Sequence, residues 1–153
     1  VKRLGALALA ASLAGLVLTA PSASQTPPVA VNAPSQIEQG RYLVVLGDCE
    51  GCHDRPGGQR LAGGLPLNTP FGVIYTANIT PDRDTGIGGW TEADFYRAMH
   101  EGRDDQNVHL YPAFPYPYFT RMSRAEVDAM RVYLMTQPAA SYRPPTNRLP
   151  FPL

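Results

Sequence analysis

The two cysteines of this chain stand three positions apart, and a histidine follows the second: Cys49-Glu50-Gly51-Cys52-His53. That pattern is the attachment signature of a c-type haem. Two thiols within one turn of backbone reach the two vinyl groups of one porphyrin, and the next residue then places an imidazole beneath the iron. One ring nitrogen of His53 binds iron, while the other is free to donate to a carbonyl that fixes the ring. Three other uses of these residues compete. A disulfide across so small a loop constrains the unfolded chain little. A thioredoxin-like pair expects a strand-helix-strand context, which the flanking sequence lacks. Zinc would need a fourth ligand from His100 or His109, at a spacing unlike that of known zinc sites.

The elements that position this motif are short. Ser35 caps a helix from Gln36 to about Leu46, with Ile37, Gly40, Leu43 and Val44 near one face, and Gly40 permits close approach by another helix. Residues 47 to 68 read as glycine-rich loop, and Phe71 to Tyr75 as a short strand or extended segment. Thr91 with Asp94 forms a capping box for a helix to about Glu101, whose stripe is Phe95, Ala98 and Met99. Ser123 with Glu126 forms a second box, stapled by Met122 against Val127, and opens a last helix from Arg124 to about Thr136. Val127, Met130 and Leu134 lie in register on it.

Composition narrows the class. Of 153 residues, 14 are glycine and 16 proline, which predicts much loop and excludes a helical bundle or coiled coil. The 13 basic and 13 acidic residues balance, and the only lysine is Lys2, so no basic patch exists to neutralise phosphates and no nucleic-acid partner is expected.

The ends read differently from the middle. Lys2 and Arg3 precede the uncharged run Leu4 to Ala20, and the small residues Ser22 and Ser24 follow. This predicts a signal peptide over residues 1-24, with an uncleaved anchor helix as the alternative. Residues 25-35 read as a proline-rich tether, 36-137 as one domain, and 138-153 as a proline-rich tail. A large apolar cofactor supplies the core that so glycine-rich a domain otherwise lacks.

Several separate phrases carry a resemblance: Gly40-Arg41-Tyr42-Leu43, Thr69-Pro70-Phe71-Gly72, Asn78-Ile79-Thr80-Pro81-Asp82, Trp90-Thr91 and His109-Leu110-Tyr111-Pro112-Ala113-Phe114-Pro115-Tyr116. In this order they resemble a haem domain of the cytochrome c subunits of bacterial membrane-bound alcohol and aldehyde dehydrogenases, over residues 37 to 153. The resemblance implies an all-α class I cytochrome c fold, three or four short helices and long loops around one covalently bound haem, with the first and last helices crossing near Gly40. It also implies a periplasmic protein that passes single electrons from a dehydrogenase towards ubiquinone or a terminal oxidase, with no substrate turnover of its own. Such subunits usually carry three haem domains, whereas this sequence carries one attachment motif, as a single-haem relative or a shortened reading frame would.

The resemblance leaves the sixth iron ligand open, because many relatives have methionine where this chain has Phe114, and phenylalanine cannot ligate. His109 opens the segment that delivers that methionine in relatives and is the first candidate. Met99 is the next, and a five-coordinate iron is the third possibility. Met122, Met130 and Met135 read as packing, and His100 as a solvent-facing residue at a helix end. Trp90, Arg41 and Tyr42 are candidates for contact with the porphyrin or its propionates, and Arg55, Arg60 and Arg121 for partner docking. An open sixth position would instead suit a haem sensor or a peroxidase-like enzyme, with His109 and Asp104 or Asp105 as its acid-base pair. A purely structural haem is a third reading.

Overall fold

The computed structural model describes residues 34–150, so the expected leader and nearly all of the tether lie outside the described residues. Four α-helices follow in order: α1 (Gln36–Leu46), α2 (Cys49–His53), α3 (Glu92–Glu101) and α4 (Arg124–Met135). Between α2 and α3 lies an antiparallel hairpin of β1 (Pro66–Thr69) and β2 (Gly72–Tyr75), and a single 3-10 turn (Tyr116–Tyr118) precedes α4. The hairpin departs from the all-α expectation. Its turn is closed by the Thr69 hydroxyl, which donates to the Gly72 carbonyl at 2.8 Å and accepts from the Phe71 amide at 3.1 Å. Among the described residues no helix is long and apolar enough to cross a membrane.

All three longer helices start at a reciprocal capping box, Ser35 with Glu38, Thr91 with Asp94 and Ser123 with Glu126. The bonds hold those carboxyls below their usual values of 4.5, 3.8 and 4.5, through the cap residue's amide first for Glu38 and Glu126 and through the Thr91 hydroxyl first for Asp94. A carboxyl depressed in the folded chain stabilises it above the unfolded pKa, and that contribution is lost as pH falls through the folded one. The melting temperature is therefore expected to fall as pH drops below about 5. Glu126→Gln should flatten that fall in melts recorded between neutral and acid pH, and an unchanged slope would count against the cap.

Helix α1 meets α4 at Gly40. A Cβ there would lie 2.0 Å from the Ala129 carbonyl oxygen and 2.8 Å from the Tyr133 Cβ, so only glycine allows this crossing. Gly40 and Val44 are the buried residues of α1, and Ile37, expected on the same face, is half exposed. The core joins Val44 to Val127, Met130, Tyr133 and Leu134 of α4, to Phe95 and Met99 of α3, and to Leu61 and Ile87 of the loops.

Residues 138 to 148 are not a separate tail. The Asn78 amide donates to the carbonyls of Ala140 at 2.8 Å and Tyr142 at 3.0 Å, and Ala140 is buried. Arg148 exchanges both backbone bonds with Val73, and the Tyr75 amide donates to the Asn147 side chain at 2.8 Å. Prolines remove donors but leave carbonyls, so a proline-rich segment can pack onto a domain that supplies the N–H groups. The compact unit therefore extends past the expected boundary at residue 137.

Candidate haem site

The attachment motif is helical. Asp48 adopts a left-handed conformation (φ 50°, ψ 39°) that ends the path from α1 and starts the single turn α2, so Cys49 and Cys52 lie one turn apart. Both thiols are free, Cys49 half-buried and Cys52 exposed. Burial, reinforced by the Asp48 carboxylate, pushes the Cys49 thiol up to about 11, so it stays protonated.

His53 is oriented from its far side. Its Nδ1 donates to the Ala77 carbonyl at 2.6 Å, and since a carbonyl only accepts, the proton resides there and Nε2 keeps its lone pair. Burial lowers the His53 pKa, outweighing the hydrogen bond to Ala77 and the nearby Asp54 charge, so the ring is held neutral as a metal ligand requires. The Ala77 carbonyl is itself held. Gly64 donates to Thr76, Thr76 to Leu65 and Ile79 to Leu61, which laces residues 61–65 to 76–79. Gly63, at φ +69°, brings its backbone against Ala77, where a Cβ would lie 2.2 Å from the carbonyl oxygen.

Cys49, Cys52 and His53 line one wall of a cavity of about 450 Å³. Leu67, Ile74, Ile79, Ile87, Phe95, Leu110 and Phe114 make most of the remaining wall apolar, while Asn78, Thr85 and Asn147 add neutral polar groups. An apolar slot with two thiols and a pre-oriented imidazole at its wall fits a covalently attached haem: Cys49 and Cys52 would hold its vinyl positions and His53 Nε2 its iron. Asn147 belongs to the segment expected to be an outlying tail, and sequence reasoning missed it for that reason.

The other expected contacts divide. Trp90 lines the cavity, and its carbonyl accepts from Arg131 at 2.7 Å. Arg41 and Tyr42 are exposed and away from the wall. Met99 is in the wall and buried, but His109 is exposed outside it, its backbone bridged to Arg103. Of the two sixth-ligand candidates, Met99 therefore lines the cavity and His109 does not, the chain returning to the wall at Leu110. Asp104 and Asp105 reach the cavity wall, whereas His109 is not among its lining residues. Arg55 donates to the Gly63 carbonyl and covers the Tyr142 ring, and Arg60 is tied to Glu50, Gln137 and Tyr133. Of the three docking arginines, Arg121 alone is without such a tie among the described residues.

No family model matches the chain. It is 46% identical over 128 residues to a subunit of the nicotinate dehydrogenase of Pseudomonas putida, covering 83% of this chain and 11% of that protein. Over 99 residues, 65% of the chain, it is 46% identical to the gluconate 2-dehydrogenase cytochrome c subunit of Pantoea cypripedii and 44% identical to the cytochrome c subunit of the quinone alcohol dehydrogenase of Gluconacetobacter polyoxogenes. The chain belongs with the cytochrome c subunits of dehydrogenases. It spans less than a quarter of the length of these three relatives, 11%, 22% and 21% respectively. Two of them are named as the cytochrome c subunits of their dehydrogenases.

Proposed function

We propose that this chain is a class I c-type cytochrome with one haem, which accepts single electrons from an alcohol, gluconate or related dehydrogenase and passes them towards quinone or a terminal oxidase. The observation that carries the reading is the pairing of two attachment thiols with a neutral His53 whose Nε2 is left free at an apolar cavity. Haem c supplies the one-electron chemistry when bound. The chain's own part is to hold the porphyrin at Cys49 and Cys52, to keep the imidazole from turning through Ala77, and to exclude water with the apolar wall. A rigid ligand and a dry wall change little between oxidation states, which favours fast outer-sphere transfer. The α1/α4 crossing at Gly40 supports the class I assignment. The charged start and uncharged run of residues 1-24 support export to the periplasm, with association to the inner membrane if that segment is kept.

The test is reduction in a membrane preparation. Holoprotein mixed with dehydrogenase-bearing membranes and the dehydrogenase's substrate is expected to develop the ferrous spectrum, and to reoxidise when quinone or oxidase is available. A haem that stays ferric with every substrate class named for the relatives would sink the electron-carrier reading. Cell fractionation tests export separately.

A further inference from the structure

The stretch Asn78-Ile79-Thr80-Pro81-Asp82 holds no attachment point for haem, yet Asn78 and Thr80 are the most buried polar side chains among the described residues. Buried polar groups persist where they are bonded, and these two are bonded mainly to the segment that follows α4. Asn78 Nδ2 donates to the carbonyls of Ala140 at 2.8 Å and Tyr142 at 3.0 Å, while its Oδ1 accepts from the Thr80 amide at 2.9 Å. The Thr80 hydroxyl accepts from the Ala140 amide at 3.1 Å, and the Thr85 hydroxyl from the Tyr142 amide at 3.1 Å. Resting on the haem reading above, we propose that residues 138–148 form a strap that sets the His53–Ala77 hydrogen bond, and with it the iron's reduction potential, and that Asn78 is the positioning residue through which the strap acts.

Ala77 and Asn78 share one peptide group. Its oxygen accepts from His53 Nδ1 at 2.6 Å, and the residue on its other side is the one that grips the strap. A peptide group is planar, so this carbonyl turns only if the backbone beside it moves. Asn78, bonded at both ends of its amide, resists that motion. The strap also backs the opposite side of the same ladder. Its Tyr142 hydroxyl lies 2.7 Å from where a Gly64 Cβ would stand, and the Tyr142 ring carries the Arg55 guanidinium at 3.7 Å. Arg55 donates to the Gly63 carbonyl at 2.8 Å, and the Gly63 amide donates to the His53 carbonyl at 2.7 Å. Both backbone partners of His53 are thus held from the strap. A firm hydrogen bond at the far ring nitrogen makes an imidazole the more basic ligand and favours ferric iron, so slackening the strap weakens that bond and raises the potential.

The experiment uses full-length holoprotein and reads the midpoint potential together with solvent exchange of the His53 Nδ1 proton, followed in the ferrous protein with nitrogen-15 histidine. Thr80→Val removes the acceptor of the Ala140 amide at a position outside the cavity wall. It should raise the potential and speed the exchange roughly fivefold, the factor that goes with the net worth of one hydrogen bond. Asn78→Ala should shift both readouts further in the same direction. Tyr142→Leu takes the ring from under Arg55 while leaving Asn78 and Thr80 in place, so it tests the strap from its own side should Asn78→Ala fail to fold. Ser35→Ala is the control, since it weakens the fold at the α1 cap and should lower the melting temperature with both readouts unchanged. Unchanged potential and exchange in Thr80→Val and Tyr142→Leu, or equal shifts in Ser35→Ala, would overturn the proposal and leave the segment a cover. A lowered potential with unchanged exchange would overturn it too, because water would then be reaching the haem without His53 having moved. Neither readout involves a redox partner, so a holoprotein that shows these shifts and that no dehydrogenase reduces would leave this inference standing and remove the electron-carrier reading.

Discussion

Changing Cys49 and Cys52 together to serine is expected to abolish covalent haem and to unfold most of the domain. Left dry, a cavity of about 450 Å³ would cost up to ~11 kcal/mol at the ~24 cal/mol per Å³ found for engineered cavities, a figure as large as the whole stability of a typical domain. The cavity opens to solvent, so water would relieve part of that cost, but an apolar wall of Leu67, Ile74, Ile79 and Ile87 gives water few partners. Haem staining after denaturing electrophoresis should be absent, and far-ultraviolet circular dichroism should show loss of most helix. His53→Ala separates the roles: the thioethers still form, while the iron loses its oriented imidazole and the Soret spectrum shifts. A double serine variant with the helix content and melting temperature of the holoprotein would show that the domain does not need haem as core.

Gly40→Ala is expected to lower the melting temperature of the holoprotein by roughly 10 °C. The added methyl meets the Ala129 carbonyl oxygen at 2.0 Å, backbone that cannot turn aside, so α1 and α4 must separate. Overpacking of this kind costs ~1–3 kcal/mol or more, and alanine's better helix propensity returns at most about 1. A net loss near 2 kcal/mol corresponds to about that shift in a domain of this size. Val45→Ala is the control, since Val45 is exposed on the same helix and its loss should change stability by no more than ~0.5 kcal/mol. Equal melting of the two variants would mean that the helices cross elsewhere in solution.

The local signals in the sequence were reliable where the physics is local. The boxes at Thr91 with Asp94 and at Ser123 with Glu126 start helices where expected, because cap and partner lie three residues apart and need nothing from the rest of the chain. Gly40 was legible as a close-approach position because it leaves a helix face without a side chain, although the backbone it meets, at Ala129, lies far along the chain. The hairpin was only half legible. Phe71 to Tyr75 reads as extended, but its partner Pro66–Thr69 begins at a proline and lies in a glycine-rich stretch that reads as loop. The short helix α2 was hidden by Gly51 and by Asp48, whose left-handed backbone is a conformation that sequence rarely announces.

By itself the sequence pointed to haem attachment at Cys49 and Cys52 and to His53 as the iron's imidazole, since the three stand within five consecutive residues. What orients that imidazole was decided only in three dimensions: Ala77 is 24 residues away, and any residue type supplies a backbone carbonyl. The same holds for the segment around Ala140, which looks like a tail until Asn78, 62 residues earlier, gives it hydrogen-bond donors. It holds as well for Met99 and His109, ten residues apart in the chain, of which one enters the cavity wall and the other is exposed outside it. Spacing along the chain specifies contacts within a turn or two; membership of a cavity wall depends on where distant segments meet.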